Sequence, residues 1–392
     1  MHMLKIFLGF TFFAILPSIF IYFRLNIKDA QKWVKRYFWF PPIFITLGLA
    51  YLASLASGKF VNDYESLLGW FVMLYFGLIT PRLILSIVLF ISLPFYSIYK
   101  GLTRPLLIVS AILSFIVEGG LTYGVFIGRN QFEIKNFEYS STSLPKTFDD
   151  YKIVHISDLH IDSWKGNKAA LKRFVDLVNQ QKPNLIAFTG DLISHRTSEL
   201  DGFDSILAQL RAPDGVYSIL GNHDYGSYYR FWNNKEEEET SFQELLDRQT
   251  NMGWILLNNE HRFIYKDNDS IAIIGVENEG EPPFSQHGDL PKAKKGTEDC
   301  FQVLLSHNPS HWRREVLPKT NIDLMLAGHT HAMQLELFQR SPAAWVYKEW
   351  TGSYYYGSQA LYVNIGAGEI GIPFRLGAWP EITIITLKSQ PN

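Results

Sequence analysis

Ile153-Val154-His155-Ile156-Ser157-Asp158-Leu159-His160 and Leu185-Ile186-Ala187-Phe188-Thr189-Gly190-Asp191 decide the fold of this chain. Each is a short, β-branched apolar run bounded by polar turns, the pattern of a central strand covered on both faces. Between them, residues 167–182 carry Leu171, Phe174, Val175 and Val178 at helical spacing, and Pro183 stops the helix. The unit reads as strand, helix, strand. Ligand sites in parallel sheets lie beyond the carboxyl ends of the strands, so Asp158, His160 and Asp191 are expected to converge.

Three later strands end the same way. Val216 to Leu220 delivers Gly221-Asn222-His223-Asp224, Val303 to Leu305 delivers Ser306-His307-Asn308, and Asp323 to Leu326 runs into Ala327-Gly328-His329-Thr330-His331. Singly, each has a bland reading, because Gly-Asn suits any tight turn and a lone strand-end histidine is an ordinary core residue. Together they imply that many buried polar groups satisfy one another through something charged. Asp158, His160, Asp191, Asn222, His307, His329 and His331 offer carboxylates, an amide and imidazoles but no thiolate, a set that suits Mn, Fe or Zn and argues against a closed structural zinc site. They are too many for one ion. Two divalent ions sharing a carboxylate would use them all, and such a pair is the usual clamp for in-line attack at phosphorus, with a hydroxide between the ions.

The ordered series Asp158-x-His160, Gly190-Asp191, Gly221-Asn222-His223-Asp224, His307 and Gly328-His329-Thr330-His331 resembles the calcineurin-like metallophosphoesterases over residues 152–387, and within them the subgroup with several N-terminal membrane spans. The resemblance implies a two-sheet β-sandwich flanked by helices, an α/β domain hydrolysing a phosphoester or phosphodiester. It implies Asp158, His160 and His331 on one metal, Asn222, His307 and His329 on the other, and Asp191 bridging. It makes His223 the acid for the leaving oxygen, oriented by Asp224. Leu192-Ile193-Ser194-His195 follows Asp191 where the protein phosphatases carry an arginine, which argues against a phosphoprotein substrate. Ala332-Met333 stands where the membrane subgroup usually has two glycines. Of the other polar residues, His155 is expected in the core and His261, His287 and His311 on the surface, Arg375 is expected to pair with Glu381, and His195 receives no role.

The front of the chain is different. The 392 residues carry a net charge of -2 and are 47% hydrophobic, and that hydrophobicity is concentrated before residue 128. Leu4 to Phe23, Phe38 to Ser57 and Pro105 to Ile127 each approach the ~20 residues needed to span a bilayer. Leu67 to Tyr99, interrupted by Pro81-Arg82, reads as one long or kinked span. The expected organisation is a transmembrane region of four helices over 1–128, a linker and edge strand over 129–150, and the phosphoesterase domain over 151–392. Arg24, Lys28, Lys32, Lys35, Arg36, Lys100 and Arg104 place the first and third loops in the cytoplasm, so the domain is expected outside it, on the plasma (inner) membrane. Arg82 and Glu118, ionisable residues within spans, are expected to pair with each other.

The expected partners are the lipid bilayer and a phosphorylated, amphiphilic substrate, with no nucleic acid. Two other readings follow from the same residues: a nucleotide-sugar lipid pyrophosphatase with a cytoplasmic site, and a non-catalytic sensor or transport module carrying a phosphoesterase fold.

Overall fold

The computed structural model describes residues 2–55, 64–96, 101 and 103–391. The chain forms two compact units, residues 1–126 with 371–374 and residues 127–370 with 375–392.

The first unit contains α1 (His2–Arg24), α2 (Lys32–Leu55), α3 (Tyr64–Ile91) and α4 (Thr103–Phe126). A helix therefore forms in each of the four expected stretches; residues 56–57 and 97–99, and the loop charges Lys59, Asp63 and Lys100, lie outside the described residues. Among the described residues two stretches, Gly69–Ile91 and Thr103–Asn130, are long and apolar enough to cross a membrane, and Leu8–Arg24 is apolar but shorter. Two of the four expected spans thus have that length and apolarity among the described residues. Helix α2 opens on Lys32, Lys35 and Arg36 and carries Pro41-Pro42.

Large apolar side chains such as Phe90, Phe115 and Phe126 point outward, while Ser18, Ser86 and Ser110 are buried. Their hydroxyls are bonded back to helix carbonyls. The expected Arg82–Glu118 pair does not form. Arg82 donates instead to the carbonyls of Leu78 and Phe38, each at 3.1 Å, and lies over the Phe38 ring. Glu118 Oε1 is buried without a hydrogen-bond partner among the described residues.

In the second unit two six-stranded mixed sheets stack. The first runs β1 (Glu133–Ser141), β12 (Glu381–Ser389), β2 (Tyr151–Ile156), β3 (Leu185–Phe188), β4 (Val216–Ser218) and β5 (Trp254–Leu256). The second runs β10 (Gly352–Tyr356), β11 (Gln359–Val363), β9 (Leu324–Ala327), β8 (Phe301–Leu305), β7 (Asp269–Gly275) and β6 (Glu260–Lys266). Strands β2 to β5 are all parallel, as are β7, β8, β9 and β11. Their carboxyl ends deliver the polar motifs.

Period-two alternation sends Ile153, Leu185, Ala187 and Tyr217 into the inter-sheet core against Ile273, Val303, Leu305 and Leu326. Val154, Ile156, Ile186 and Phe188 meet Leu171, Phe174, Val175 and Val178 of α5 (Lys168–Gln180) on the outer face. The Asn167 side chain caps α5 by accepting from Ala170 N–H. Helix α6 (Lys235–Asn251) starts at the acidic run, capped by Asn234.

The apolar stretch 335–338, whose alternation reads as a strand, forms the start of a tight hairpin joined by isolated bridges from Leu335 to Leu376 and from Leu337 to Arg340. His311 is buried rather than on the surface, held between Ser306 Oγ and Glu315.

His155 is buried, as expected. The Thr189 hydroxyl donates to Ser157, so its oxygen accepts from His155 Nε2–H, while Nδ1 has no partner. Burial drives His155 down from 6.5 to about 3, against the pull of Asp158. Between those values the unfolded chain binds a proton that the folded one refuses, so stability falls as pH drops below 6.5, by up to about 1.4 kcal/mol per pH unit. His155→Gln, which keeps a donor but does not titrate, is expected to flatten the acid limb of urea midpoint against pH.

Candidate metal centre

Five of the residues delivered by the strand ends adopt left-handed backbone: Asp158 (φ 50°), His160 (φ 39°), Asp191 (φ 57°), His329 (φ 74°) and His331 (φ 50°). Non-glycine residues take this conformation rarely and cluster at functional sites when they do. The chain turns sharply at each strand end, so side chains from separate strands aim into one space. At Gly328 any Cβ would run into Ser157 Oγ and Asp158 Oδ2, so only glycine fits. Ala332 and Met333 continue the left-handed run at φ 48° and 47°. This explains why glycines suit those positions and places a backbone cost of about 1 kcal/mol on each residue.

Two groups of donor atoms converge, Asp158 with His160 and His331, and Asp191 with His307 and His329. Asp158 Oδ1 lies 3.2 Å from His331 Nε2, and His160 Nε2 lies 3.2 Å from the same nitrogen. Asp191 Oδ2 is 3.1 Å from His307 Nε2 and 3.6 Å from His160 Nε2, so this carboxylate faces both groups. The remaining ring nitrogens are held from behind. His307 Nδ1–H donates to the Thr189 carbonyl at 2.7 Å. His160 Nδ1 meets Ser194 Oγ, itself a donor to Asp162. These contacts fix the tautomers that turn Nε2 inward. His329 presents Nδ1 toward His307 and its Nε2 meets the Tyr347 hydroxyl at 3.2 Å. Asn222 gives its amide N–H to Tyr228, and its Oδ1 is buried with no hydrogen-bond partner among the described residues.

The electrostatics show how the chain accommodates this charge. Burial alone would raise Asp191, yet His307 and His223 hold it well below the usual carboxylate range. Burial alone would lower His307, yet Asp191 at close range, with Asp158 and the Thr189 carbonyl, pushes it up to about 9. His329, buried beside that imidazolium, falls to about 3, and burial also lowers His160 and His223. A proton on His307 thus compensates the carboxylates in the absence of a cation, and uptake of a cation would release it. The orphaned Asn222 oxygen, the two facing groups and the hard oxygen and nitrogen donors fit two divalent ions.

Asp224 does not orient His223 in the way the resemblance implies. His223 Nδ1–H donates to the Ser194 carbonyl at 2.7 Å, its N–H donates to Asp191 Oδ1, and its ring packs against Tyr228. Asp224 does not touch the imidazole. Its carboxylate accepts from the N–H groups of Asp191, Leu192, Ile193 and Gly221, bracing the loop that carries Asp191. His223 is therefore oriented by the Ser194 carbonyl.

Glu199 braces the same loop through Ser194, His195 and Arg196 N–H. With Asp162 and His195 it forms a third cluster whose Glu199 oxygens are already spent on backbone. Arg375 does not pair with Glu381, which binds Lys135. It is fully buried, donates to the carbonyls of Gly368, Ala378 and Ile365, and lies 3.1 Å from His331 Nδ1. His261 is half-buried and bonded to the Ala293 carbonyl, and His287 is exposed, stacked on Tyr225. Ser194, Tyr228 and Tyr347 are the residues that sequence reasoning missed. Ser194 stands three positions after Asp191, whereas the tyrosines sit in loops without a motif.

Comparison with known proteins gives the family. The family model for the calcineurin-like phosphoesterases matches residues 151–333, from β2 through the last ligand motif. The metallophosphoesterase YkuE of Bacillus subtilis is 31% identical over 69% of this chain and 91% of its own length. A second B. subtilis metallophosphoesterase, YkoQ, is 26% identical over 59% of this chain and 81% of its own. A zebrafish (Danio rerio) transmembrane protein with metallophosphoesterase domain is 29% identical over 72% of this chain, which spans 62% of that relative. With six convergent carboxylate and imidazole donors on a two-sheet sandwich and a relative matched over nearly its whole length, this chain belongs to the calcineurin-like metallophosphoesterase family.

Proposed function

We propose that the chain is a membrane-anchored phosphoesterase that holds two divalent ions, Asp158, His160 and His331 around one, Asn222, His307 and His329 around the other, with Asp191 shared. The observation that carries this reading is the position of Asp191, whose Oδ2 faces His307 and His160 from the two groups, beside an Asn222 oxygen left without a hydrogen-bond partner among the described residues. When bound, the ions would neutralise the phosphoryl oxygens and activate the attacking water. The chain's own residues do the rest. The Thr189 carbonyl and Ser194 Oγ keep His307 and His160 in the ligating tautomer. His223, with Nδ1–H committed to Ser194, turns Nε2 toward the substrate and delivers a proton to the departing oxygen.

Anchoring rests on Gly69–Ile91 and Thr103–Asn130, with α1 and α2 completing a four-helix membrane region. Loop cations favour a domain outside the cytoplasm, testable by reporter fusions after Gly128. An anchor of this kind favours an amphiphilic, lipid-linked phosphoester. The decisive assay uses the full chain, stripped of metal and reloaded with manganese, on a chromogenic phosphodiester and its monoester. Turnover restored by metal is expected. No turnover with metal demonstrably bound would move the function to the helical region.

A further inference from the structure

The segment between two site residues, His331 and Tyr347, leaves an apolar lobe on the surface. Leu337 N–H and Arg340 N–H bond to each other's carbonyls across a two-residue turn whose tip, Phe338 and Gln339, is left-handed at φ 53° and 61°. Phe338 at this tip is 97% exposed, and Trp345, seven residues on, is 88% exposed. Leu337 and Val346 beside them are also exposed. The lobe is an ordered element. Glu336 N–H bonds to the Leu376 carbonyl and Leu376 N–H to the Gln334 carbonyl. Ser341 Oγ donates to the Ala332 carbonyl and Thr330 Oγ to the Trp350 carbonyl. Hydrogen bonds thus hold the lobe's base while its largest apolar side chains face solvent.

Its chemistry identifies what covers it. The exposed charges on the lobe, Arg340 and Lys348, are both cations; Glu336 is half-buried and Glu349 is paired with Arg313. Phenylalanine, tryptophan and leucine beside arginine and lysine form the residue set that settles at the boundary between acyl chains and anionic headgroups. Connectivity points the same way: the apolar stretch Thr103–Asn130 is followed after two residues by β1, so a bilayer crossed by that stretch is held at the domain by chain length alone.

We propose that the lobe of residues 335–348 inserts into the surface of the bilayer that anchors the chain, and that the metal site, bounded by both ends of the lobe, takes its phosphoester from a lipid headgroup at that surface. The insertion rests on the membrane reading above, and the substrate class on the phosphoesterase reading.

The test separates the two. In full chain carrying Cys300→Ser, an environment-sensitive fluorophore is placed by Phe338→Cys, and in a control by Tyr265→Cys, a residue exposed on β6. Both are reconstituted at one chain per nanodisc of phosphatidylcholine and phosphatidylglycerol with nitroxide-labelled lipid. Quenching several-fold stronger at 338 than at 265 is expected. Equal quenching at the two positions overturns the proposal, including the case in which a second copy shields the probe at higher loading. In metal-loaded protein, Phe338→Asp with Trp345→Asp should lose several-fold in turnover of a disc-embedded phosphoester and retain hydrolysis of a soluble chromogenic ester. Equal loss on both would overturn the substrate assignment. Strong quenching without any turnover would sink the phosphoesterase reading and leave the insertion standing.

Discussion

Asp191→Asn is expected to remove metal-dependent turnover by on the order of a thousandfold or more, the size associated with losing a group that acts in concert with its neighbours. The carboxylate is shared between the two groups of donors, through Oδ2 to His307 and His160, and its other oxygen takes His223 N–H. Asparagine fits the space but supplies one oxygen and no charge, so it would serve either the two donor groups or the His223 backbone N–H, not both. The same substitution has a signature in metal-free protein, where Asp191 and His307 form a buried pair. Asp191 is depressed below 3.8, so its contribution is present above that pH and lost as pH falls through the folded value. His307 is raised from 6.5 to about 9, so its contribution is complete below 6.5 and lost as pH rises to about 9. Wild type should therefore exceed Asp191→Asn in metal-free stability by about 2 kcal/mol or more between roughly pH 4 and 6.5, narrowing above, as expected for breaking a buried ion pair. Isothermal titration with manganese, steady-state rates and urea melts across pH check the three parts. Undiminished turnover with a full complement of bound metal would remove Asp191 from the mechanism.

What made the centre legible was its placement at strand ends. Short parallel strands carry an unmistakable apolar signature, and a polar residue immediately beyond one has few places to point, so the six carboxylates and imidazoles that converge in two groups are legible from periodicity and position. Distances decided by loops were not legible. Asp224 lies next to His223 in sequence, but the tight turn after β4 sends its carboxylate to the backbone of residues 191–193 and leaves His223 to a carbonyl from the loop after β3. His311 looked like a surface residue because nothing in a lone histidine announces the serine and glutamate on either side of it. The run 335–338 reads as a strand by composition, since Leu-Glu-Leu-Phe alternates well enough; backbone handedness at Phe338 and Gln339 makes it a turn instead. In the helical unit, hydropathy located all four helices, and among the described residues two stretches, Gly69–Ile91 and Thr103–Asn130, are long and apolar enough to cross a membrane.

His223→Ala is expected to cost about a hundred- to ten-thousandfold in kcat on an ester with a poor, alkoxide leaving group, and little on a nitrophenyl ester, whose leaving oxygen departs without a proton. The geometry carries this asymmetry. Ser194 takes the Nδ1 proton at 2.7 Å, so only Nε2 remains to serve the substrate. The Tyr228 ring, packed against it at 4.4 Å and tilted by 32°, restricts the plane in which it does so. Burial lowers the pKa of His223, Asp191 opposes that shift, and an anionic phosphoester docked against the ring favours the imidazolium further. A depressed pKa makes the imidazolium a stronger acid and a scarcer one. Turnover of the alkyl ester should therefore decline as pH rises above that value, while nitrophenyl ester turnover, which bypasses the proton, should not share that limb. In His223→Ala the pH dependence on the alkyl ester should lose the same limb. Comparing kcat against pH for both esters in both proteins tests this directly. An equal loss on the two esters would mean that His223 supports the Asp191 loop through its N–H and ring packing, not that it hands over a proton.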